Sequence, residues 1–131
     1  MALPPIPEEI RRFVLTSIAS VPHLEALLLL RATEGQFWSD TRLAERLYIS
    51  EKMAHGLMAE LCHSCMLTPC EQAGPTSTYR YEPGSAHLRL TIDHLADLYA
   101  RQLVDITHLI HARLDRKAQQ FADAFKWRKD S

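Results

Sequence analysis

The sequence has few of the residues that mark catalytic loops or disulfide scaffolds. Glycine occurs four times and cysteine three times in 131 residues, and the glycines form no phosphate-binding loop. The chain also contains no nucleophile elbow and no HExxH zinc motif. An odd number of cysteines does not close a disulfide framework, so a reducing cytoplasm is the predicted compartment. These absences predict a protein that is not an enzyme and uses no cofactor.

Long apolar runs are also missing. The stretch ALLLLRA (26–32) is far shorter than the roughly 18 residues of a membrane-spanning helix. The first residues, MALPPIPEEIRR, place acids and prolines ahead of the basic residues, which is not the order of a secretory signal. A hydrophobic content of 47% is enough for one domain with a core. We therefore expect a small soluble domain without a membrane span.

Positive charge is scarce in the first part of the chain. Residues 1–84 contain seven Lys/Arg and ten Asp/Glu, a net charge of 7 − 10 = −3, whereas residues 85–131 contain eight and six, a net charge of +2. Proteins that bind nucleic acid usually present a basic patch, because neutralising phosphates supplies most of the non-specific affinity. The acidic balance of residues 1–84 therefore counts against DNA binding, although a net count does not describe local patches.

Apolar spacing predicts two helices before residue 35. Ile10, Val14 and Ile18 follow helical spacing, and Pro7 suits the first turn of that helix. A second helix is predicted from about 22 to 34, where leucine is nearly continuous; Ser20 is expected to cap it and Gly35 to end it.

The segment LAERLYISEKMAHGLMAEL (43–61) predicts two short amphipathic helices joined by a tight turn. The first helix is expected to start at Ser39-Asp40 and to end near Tyr48, and Ser50 is expected to cap the second. The inner face of the second helix is predicted to consist of residues four apart, namely Met53, Leu57 and Leu61. This pattern is typical of a helix-turn-helix, whose second helix commonly enters the DNA major groove.

A β-hairpin and a long helix are predicted to follow. The stretch MLTPCEQAGPTSTYRYEP (66–83) predicts two strands around a turn at Gly74-Pro75. From Ser85 onward, helical spacing continues for about 30 residues, and its apolar stripe would need a second subunit to cover it. We therefore divide the chain into residues 1–84 and a dimerisation region, 85–131. The predicted dimer interface consists of Leu88, Ile92, Leu95, Tyr99, Leu103, Ile106, Ile110 and Leu114.

This order of elements resembles the winged helix-turn-helix superfamily of bacterial transcriptional regulators, MarR-like and PadR-like proteins in particular. The resemblance covers about residues 22–83, and the stretches that carry it are LAERLYIS (43–50), the ladder described above, ML (66–67) and YRYEP (79–83). It implies a mainly α fold with a small β-hairpin wing, an extra N-terminal helix and a long C-terminal helix. The chain departs from the family at Cys65, where a glycine usually ends the recognition helix, and at the wing tip (72–78), which has no Lys or Arg.

The resemblance implies a cytoplasmic, homodimeric DNA-binding transcriptional regulator with its recognition helix, about 50–62, in the major groove. Carried over to this chain, Ser50 and Lys52 would bind phosphate, and Arg80 would bind the DNA backbone. His55 would reach a base edge, and Glu51 could accept from a cytosine amine. Glu51 is equally well explained as a charge that stabilises the helix N-terminus.

Two groups of residues have side chains of the types that bind metals, but neither group is predicted to form a metal site. Cys62, Cys65 and Cys70 lie close together with His63, but no second CxxC follows, so ordinary packed cysteines are expected rather than a metal or redox site. The second group is Asp105, His108 and His111, three residues apart on the predicted helix. Because steps of three turn these side chains progressively around the helix, they are predicted to be solvated.

The basic tail, 113–131, supports an alternative function. Phe121, Phe125 and Trp127 are surrounded by Lys and Arg, a pattern suited to a partner groove, an acidic membrane surface or DNA phosphates. The same aromatic side chains could instead fold back on their own domain or on a dimer mate. The alternative prediction is a winged-helix protein–protein interaction module, a regulatory adaptor that binds no DNA.

Overall fold

The architecture is mainly helical with one small antiparallel sheet. The structure is a computed structural model that describes residues 5–69 and 78–112. Within these ranges the elements are α1 (Glu8–Ser17), α2 (Val21–Ala32), β1 (Trp38–Ser39), α3 (Asp40–Leu47), α4 (Glu51–His63), β2 (Leu67–Thr68), β3 (Thr78–Tyr81), α5 (Ala86–Arg101) and α6 (Leu103–Ala112). The prediction of a mainly α chain with a small β element is therefore confirmed.

Serine side chains define the start of four helices. In each case the hydroxyl oxygen accepts a hydrogen bond from the backbone N–H three residues later, which satisfies a donor that the helix itself leaves unpaired. The four caps are Ser20 for α2, Ser39 for α3, Ser50 for α4 and Ser85 for α5. The predicted caps at Ser20 and Ser50 are thus confirmed.

Helices α3 and α4 pack against each other across a three-residue connection. Tyr48 adopts the left-handed conformation (φ 56°, ψ 46°), and the Ile49 N–H donates to the Ala44 carbonyl at 3.0 Å. The predicted inner face of α4 was wrong at Met53, which is 49% exposed. A repeat of four drifts around a helix of 3.6 residues per turn, so the buried positions are Ala54, Leu57, Met58 and Leu61.

A left-handed residue also ends α4. Cys65 has φ 61°, and its N–H donates to the Cys62 carbonyl at 3.0 Å, while the Met66 N–H donates to the Leu61 carbonyl at 3.0 Å. This pair of hydrogen bonds is a Schellman motif. Leu61 and Met66, the apolar residues on either side of the motif, are both buried. The cap that glycine usually supplies is therefore present with cysteine in its place.

Strand β3 lies in the centre of the sheet, which has the order β1-β3-β2. Both pairings are antiparallel, with Trp38 opposite Tyr79 and Leu67 opposite Tyr81. Tyr79 and Tyr81 are buried, whereas Thr78 and Arg80 are exposed. The two predicted hairpin strands are thus present, but Gly74-Pro75 lies outside the described residues. The pairing of β1 was not predicted, because its partner strand lies 40 residues later in the sequence.

The long C-terminal helix predicted from the apolar spacing is interrupted within residues 86–112. The chain breaks at Gln102 (φ −130°, ψ 48°), and α6 then returns apolar side chains to the core. Most of the predicted dimer stripe is consequently buried within one chain, where it belongs to the same hydrophobic core as α1 to α4, and Leu88 packs against it. The buried members are Ile92, Leu95, Tyr99, Ile106 and Ile110. Leu103 is exposed, and Leu114 lies outside the described residues.

None of the described helices is by itself both long and apolar enough to cross a bilayer. Helices α1 and α2 reach the required length and composition only when they are counted together across a bend of 109°. Apolar side chains of α2 lie in the core instead, including Leu24, Leu27 and Leu30.

Candidate nucleic-acid interface

Helix α4 presents a free surface, which we call the outer face of α4: Glu51, Lys52, His55, Gly56, Ala59 and Glu60. All six residues are exposed, whereas the opposite side of the helix is buried in the core. The middle of this face carries almost no side-chain bulk, because Gly56 has no side chain and Ala59 has only a methyl group. A Cβ added at Gly56 would meet nothing within 4 Å. The face therefore allows another surface to approach the helix backbone closely.

His55 is paired with a carboxylate from the neighbouring helix. Its Nδ1 lies 2.8 Å from Oδ2 of Asp40, the first residue of α3. Asp40 is only 8% exposed, and its second oxygen, Oδ1, is buried without a hydrogen-bond partner in the described part of the chain. The His55 side chain is 49% exposed. The pair thus joins a buried charge to an accessible ring.

Ser50 and Glu51, two predicted DNA contacts, also have structural roles. The Ser50 hydroxyl accepts from the Met53 N–H at 3.0 Å, so its oxygen already caps α4. Glu51 accepts from the Thr41 hydroxyl at 3.3 Å and lies in the first turn of α4, where the helix dipole favours a negative charge. Both explanations offered for Glu51 from the sequence remain open, and the dipole explanation agrees with its position.

The outer face of α4 carries one Lys or Arg side chain, Lys52. It is exposed and takes part in none of the ion pairs that the described residues form. Arg80 is paired with Glu82 at 3.1 Å, and its guanidinium lies 5.6 Å from the centre of the Phe37 ring. Other arginines are paired as well, namely Arg31 with Asp93, Arg89 with Glu34 and Arg101 with Asp97. The predicted sites Lys52 and Arg80 therefore differ, because only Lys52 is unpaired.

Sequence reasoning missed Asp40 and Arg42. The dipeptide Ser39-Asp40 was interpreted only as a helix start, because nothing in the sequence indicates that Asp40 would meet a side chain 15 residues later. Arg42 packs over the Trp38 ring at 3.9 Å from its centre and donates to the Phe37 carbonyl at 2.9 Å. Its cation is therefore held in place beside β1.

The cysteines differ from the prediction of ordinary packed thiols. Cys62 is disulfide-bonded, whereas Cys65 is a free, exposed thiol; Cys70 lies outside the described residues. A disulfide is a feature of oxidising compartments more than of the cytoplasm. Cys62 and Cys65 line one open cavity of about 510 Å³ together with residues of β2 and of the segment after β3.

The other predicted sites add no constellation to the outer face of α4. Within residues 5–69 and 78–112, no three His, Cys, Asp or Glu side chains could hold a metal ion together. Asp105, His108 and His111 are exposed on α6, as predicted for solvated side chains. Phe121, Phe125 and Trp127 of the basic tail lie outside the described residues.

Comparison with known proteins identifies no relative. No family model, no curated protein and no solved structure matches the chain. Inference about function therefore depends on the fold and on the geometry of the outer face of α4.

Proposed function

We propose that this protein is a transcriptional regulator that binds DNA as a homodimer through a winged-helix domain. The observation that carries the proposal is the arrangement of α4. One side of this helix is buried in the core. Its outer face is exposed along the first three turns and has only short side chains in the middle. An α-helix presented in this way fits the width of the DNA major groove.

The order of elements favours a winged helix. Helix α2 is followed by β1, the α3–α4 pair and the two strands β2 and β3, and a helix-turn-helix followed by a β-hairpin is the order expected for that fold. The central position of β3 ties the hairpin to β1, directly before α3. The hairpin and the helix pair are therefore joined through the sheet.

In the proposed complex, α4 lies in the major groove with Gly56 and Ala59 closest to the DNA. Lys52 binds phosphate, and His55 reaches a base edge. Arg80 binds the DNA backbone after it exchanges Glu82 for a phosphate. Glu51 and Glu60 repel phosphates, so we expect the affinity to depend on a few well-placed contacts rather than on bulk charge.

The homodimer is part of the proposal, but among the described residues of the predicted stripe only Leu103 is exposed. Three large apolar side chains of α5 and α6 remain exposed: Leu90, Leu103 and Val104. A second copy is expected to cover them, and a dimer that binds DNA through two α4 helices would read half-sites about 34–36 Å apart. Light scattering should give a dimer mass for the wild type and a monomer mass for Leu103→Asp. Ala86→Asp, an exposed control on α5 with the same charge change, should stay dimeric; a monomeric wild type would remove the dimer from the proposal.

DNA binding is tested by fluorescence anisotropy with labelled duplex from upstream of the protein's own gene. We expect binding that survives competitor DNA and weakens as salt rises from about 50 to 200 mM, because released counterions favour association. Lys52→Ala should weaken binding and reduce the salt dependence. Arg11→Ala, which removes an exposed cation on α1, should not. Absence of binding at the lowest salt, or equal effects of the two variants, would count against the proposal.

A second candidate is the protein–protein interaction module. It is favoured by Tyr48, which is 94% exposed at the connection between α3 and α4, with Met53 also exposed one turn into α4. Exposed aromatic residues are common anchors in protein interfaces. A photo-crosslinking amino acid at position 48 should capture one defined protein in cells if this function holds, whereas the same amino acid at position 11 should not. Equal capture at the two positions would argue against it.

A further inference from the structure

The pair of Asp40 and His55 links the start of α3 to the outer face of α4. Asp40 follows the cap residue Ser39 and lies in the first turn of α3, where the helix dipole favours the ionised carboxylate. Its Oδ2 lies 2.8 Å from Nδ1 of His55. In the described part of the chain, the other oxygen has no hydrogen-bond partner. The carboxylate is therefore directed at a single partner, the His55 ring.

The chemistry of this contact determines where the ring carries its proton. An ionised carboxylate can only accept hydrogen bonds, so Nδ1 must be the donor and must carry a hydrogen. In the neutral ring, Nε2 then has a lone pair and acts as an acceptor. The charged neighbours are Asp40 from α3 and, one turn earlier on α4, Glu51 and Lys52. The half-exposed ring gives Nε2 access to whatever binds the outer face.

We propose that Asp40 is a positioning residue that holds His55 in the Nδ1–H tautomer, and that His55 Nε2 accepts a hydrogen bond from a base amine in the DNA major groove. This inference rests on the proposed function. It adds to that function a specificity at one base pair and assigns a role to a buried aspartate that the sequence suggested only as a helix start.

The predicted specificity follows from the groove edges of the bases. Adenine N6 and cytosine N4 are the exocyclic amines that donate in the major groove, whereas guanine N7 and O6 and thymine O4 only accept. An acceptor at Nε2 therefore favours adenine or cytosine at the position it contacts and rejects guanine and thymine. A ring with its proton on Nε2 would instead donate to guanine N7 or O6, thymine O4 or adenine N7 and would reject cytosine.

The tautomer can be measured without DNA. Long-range ¹H–¹⁵N spectra of the ¹⁵N-histidine-labelled protein at about pH 8, above the ordinary histidine pKa of about 6.5, distinguish Nδ1–H, Nε2–H and doubly protonated rings. His55→Ala identifies the His55 signals. We expect Nδ1–H in the wild type and Nε2–H in Asp40→Ala. Glu45→Ala removes one negative charge from α3 without touching His55 and should leave the Nδ1–H signals unchanged.

The outcomes of this experiment are distinct. A wild-type ring that carries its proton on Nε2, or on both nitrogens, overturns the proposal. If Asp40→Ala does not fold, Asp40→Asn is the second variant. Its side-chain NH₂ can donate to Nδ1 while its carbonyl can still accept, so the fixed preference for Nδ1–H should weaken to a mixture. An unchanged Nδ1–H signal in a folded Asp40 variant shows that Asp40 does not set the tautomer.

Base recognition is then measured with DNA from which one amine at a time has been removed, purine replacing adenine and 2-pyrimidinone replacing cytosine. At one position we expect an affinity loss of about three- to tenfold for the wild type and for Glu45→Ala, the value of one hydrogen bond. His55→Ala should lose nothing further at that position. DNA binding without such a position overturns the base contact alone. A protein that binds no DNA overturns the proposed function and the base contact together, while the tautomer measurement still decides the role of Asp40.

Discussion

Tyr99 on α5 donates a hydrogen bond to Oε1 of Glu25 on α2 at 2.7 Å, across 74 residues of sequence. Thr107 on α6 also hydrogen-bonds to the Tyr99 side chain, so one hydroxyl connects three helices. Tyr81 at the end of β3 differs, because its buried hydroxyl has no partner among the described residues. These two tyrosines allow the contribution of the hydroxyl to the free energy of unfolding to be separated from the contribution of the ring.

Removing the hydroxyl should lower the free energy of unfolding at Tyr99 but not at Tyr81. Tyr99→Phe should lower it by about 1 kcal/mol, the typical contribution of one hydrogen bond. Tyr81→Phe should leave it unchanged or raise it by up to about 1 kcal/mol, because a buried hydroxyl without a partner is costly. Urea unfolding followed by circular dichroism measures both. An equal loss for the two variants would contradict the assignment of their hydrogen bonds.

The same tyrosines predict loss of stability in alkali. Burial is the main cause that raises the pKa of each from 10.0 to about 12, with the charge of Asp93 adding at Tyr81 and the hydrogen bond to Glu25 adding at Tyr99. Both groups therefore hold their protons longer in the folded than in the unfolded chain. Their contribution is complete below about pH 10 and is lost towards pH 12, with a slope of at most about 1.4 kcal/mol per pH unit for each tyrosine. Urea titrations across this interval should show the fall, and the double Phe variant should show a shallower one.

The helical part of the fold could be predicted because its signals are local. The hydroxyls of Ser20 and Ser50 each accept a hydrogen bond from the backbone N–H only three residues later, and apolar spacing shows which segments are amphipathic. The break at Gln102 could not be predicted, since no glycine or proline marks it and the helical spacing continues through it. Burial of Ile106 and Ile110 depends on that break. A stripe that belongs to the core was therefore interpreted as a dimer interface.

Replacing each of two glycines by alanine should change the free energy of unfolding in opposite directions. Gly56 lies in the middle of α4 with open space around it, so Gly56→Ala should raise the free energy of unfolding by about 0.5–1 kcal/mol through higher helix propensity. Gly35 has φ +92°, a conformation that costs an L-residue about 1–2 kcal/mol, so Gly35→Ala should lower it. Thermal unfolding of the two variants beside the wild type is the measurement. A loss of stability in Gly56→Ala would show that the helix is packed there.

Ser50 allows the cap of α4 to be separated from a phosphate contact. Ser50→Ala should cost about 1 kcal/mol of stability, because the Met53 N–H loses its acceptor. Ser50→Asp should keep the cap, since aspartate is an equally good N-cap residue, but it adds a negative charge to the end of the outer face. We therefore expect normal unfolding and weaker DNA binding for Ser50→Asp. Unchanged DNA affinity in that variant would remove Ser50 from the proposed interface.

The ion pair of Arg80 and Glu82 should limit DNA affinity. Glu82→Gln removes the competing carboxylate, so Arg80 becomes free to bind phosphate. We expect higher affinity and a salt slope that is steeper by about one. Arg80→Ala should have the opposite effect on both quantities. Anisotropy titrations at several salt concentrations measure them, and the double variant should match Arg80→Ala if Glu82 acts only through Arg80.

The candidate site was less predictable than the fold, for a physical reason. The exposed positions Lys52 and His55 follow from helical spacing, because one amphipathic helix has one exposed side. What those side chains contact depends on how α3 lies against α4, and the sequence does not show this. The partners Asp40 and Thr41 therefore became visible only in three dimensions, and they change which of the predicted DNA contacts are free.

The central place of β3 has a consequence for how the length of this chain can vary among natural variants. Buried and exposed side chains alternate along Thr78–Tyr81, so an insertion or deletion of one residue inside the strand would exchange the two faces. Tyr81 would then turn outward, and Arg80 would turn into the core. We therefore expect insertions and deletions of one residue to be absent from residues 78 to 81.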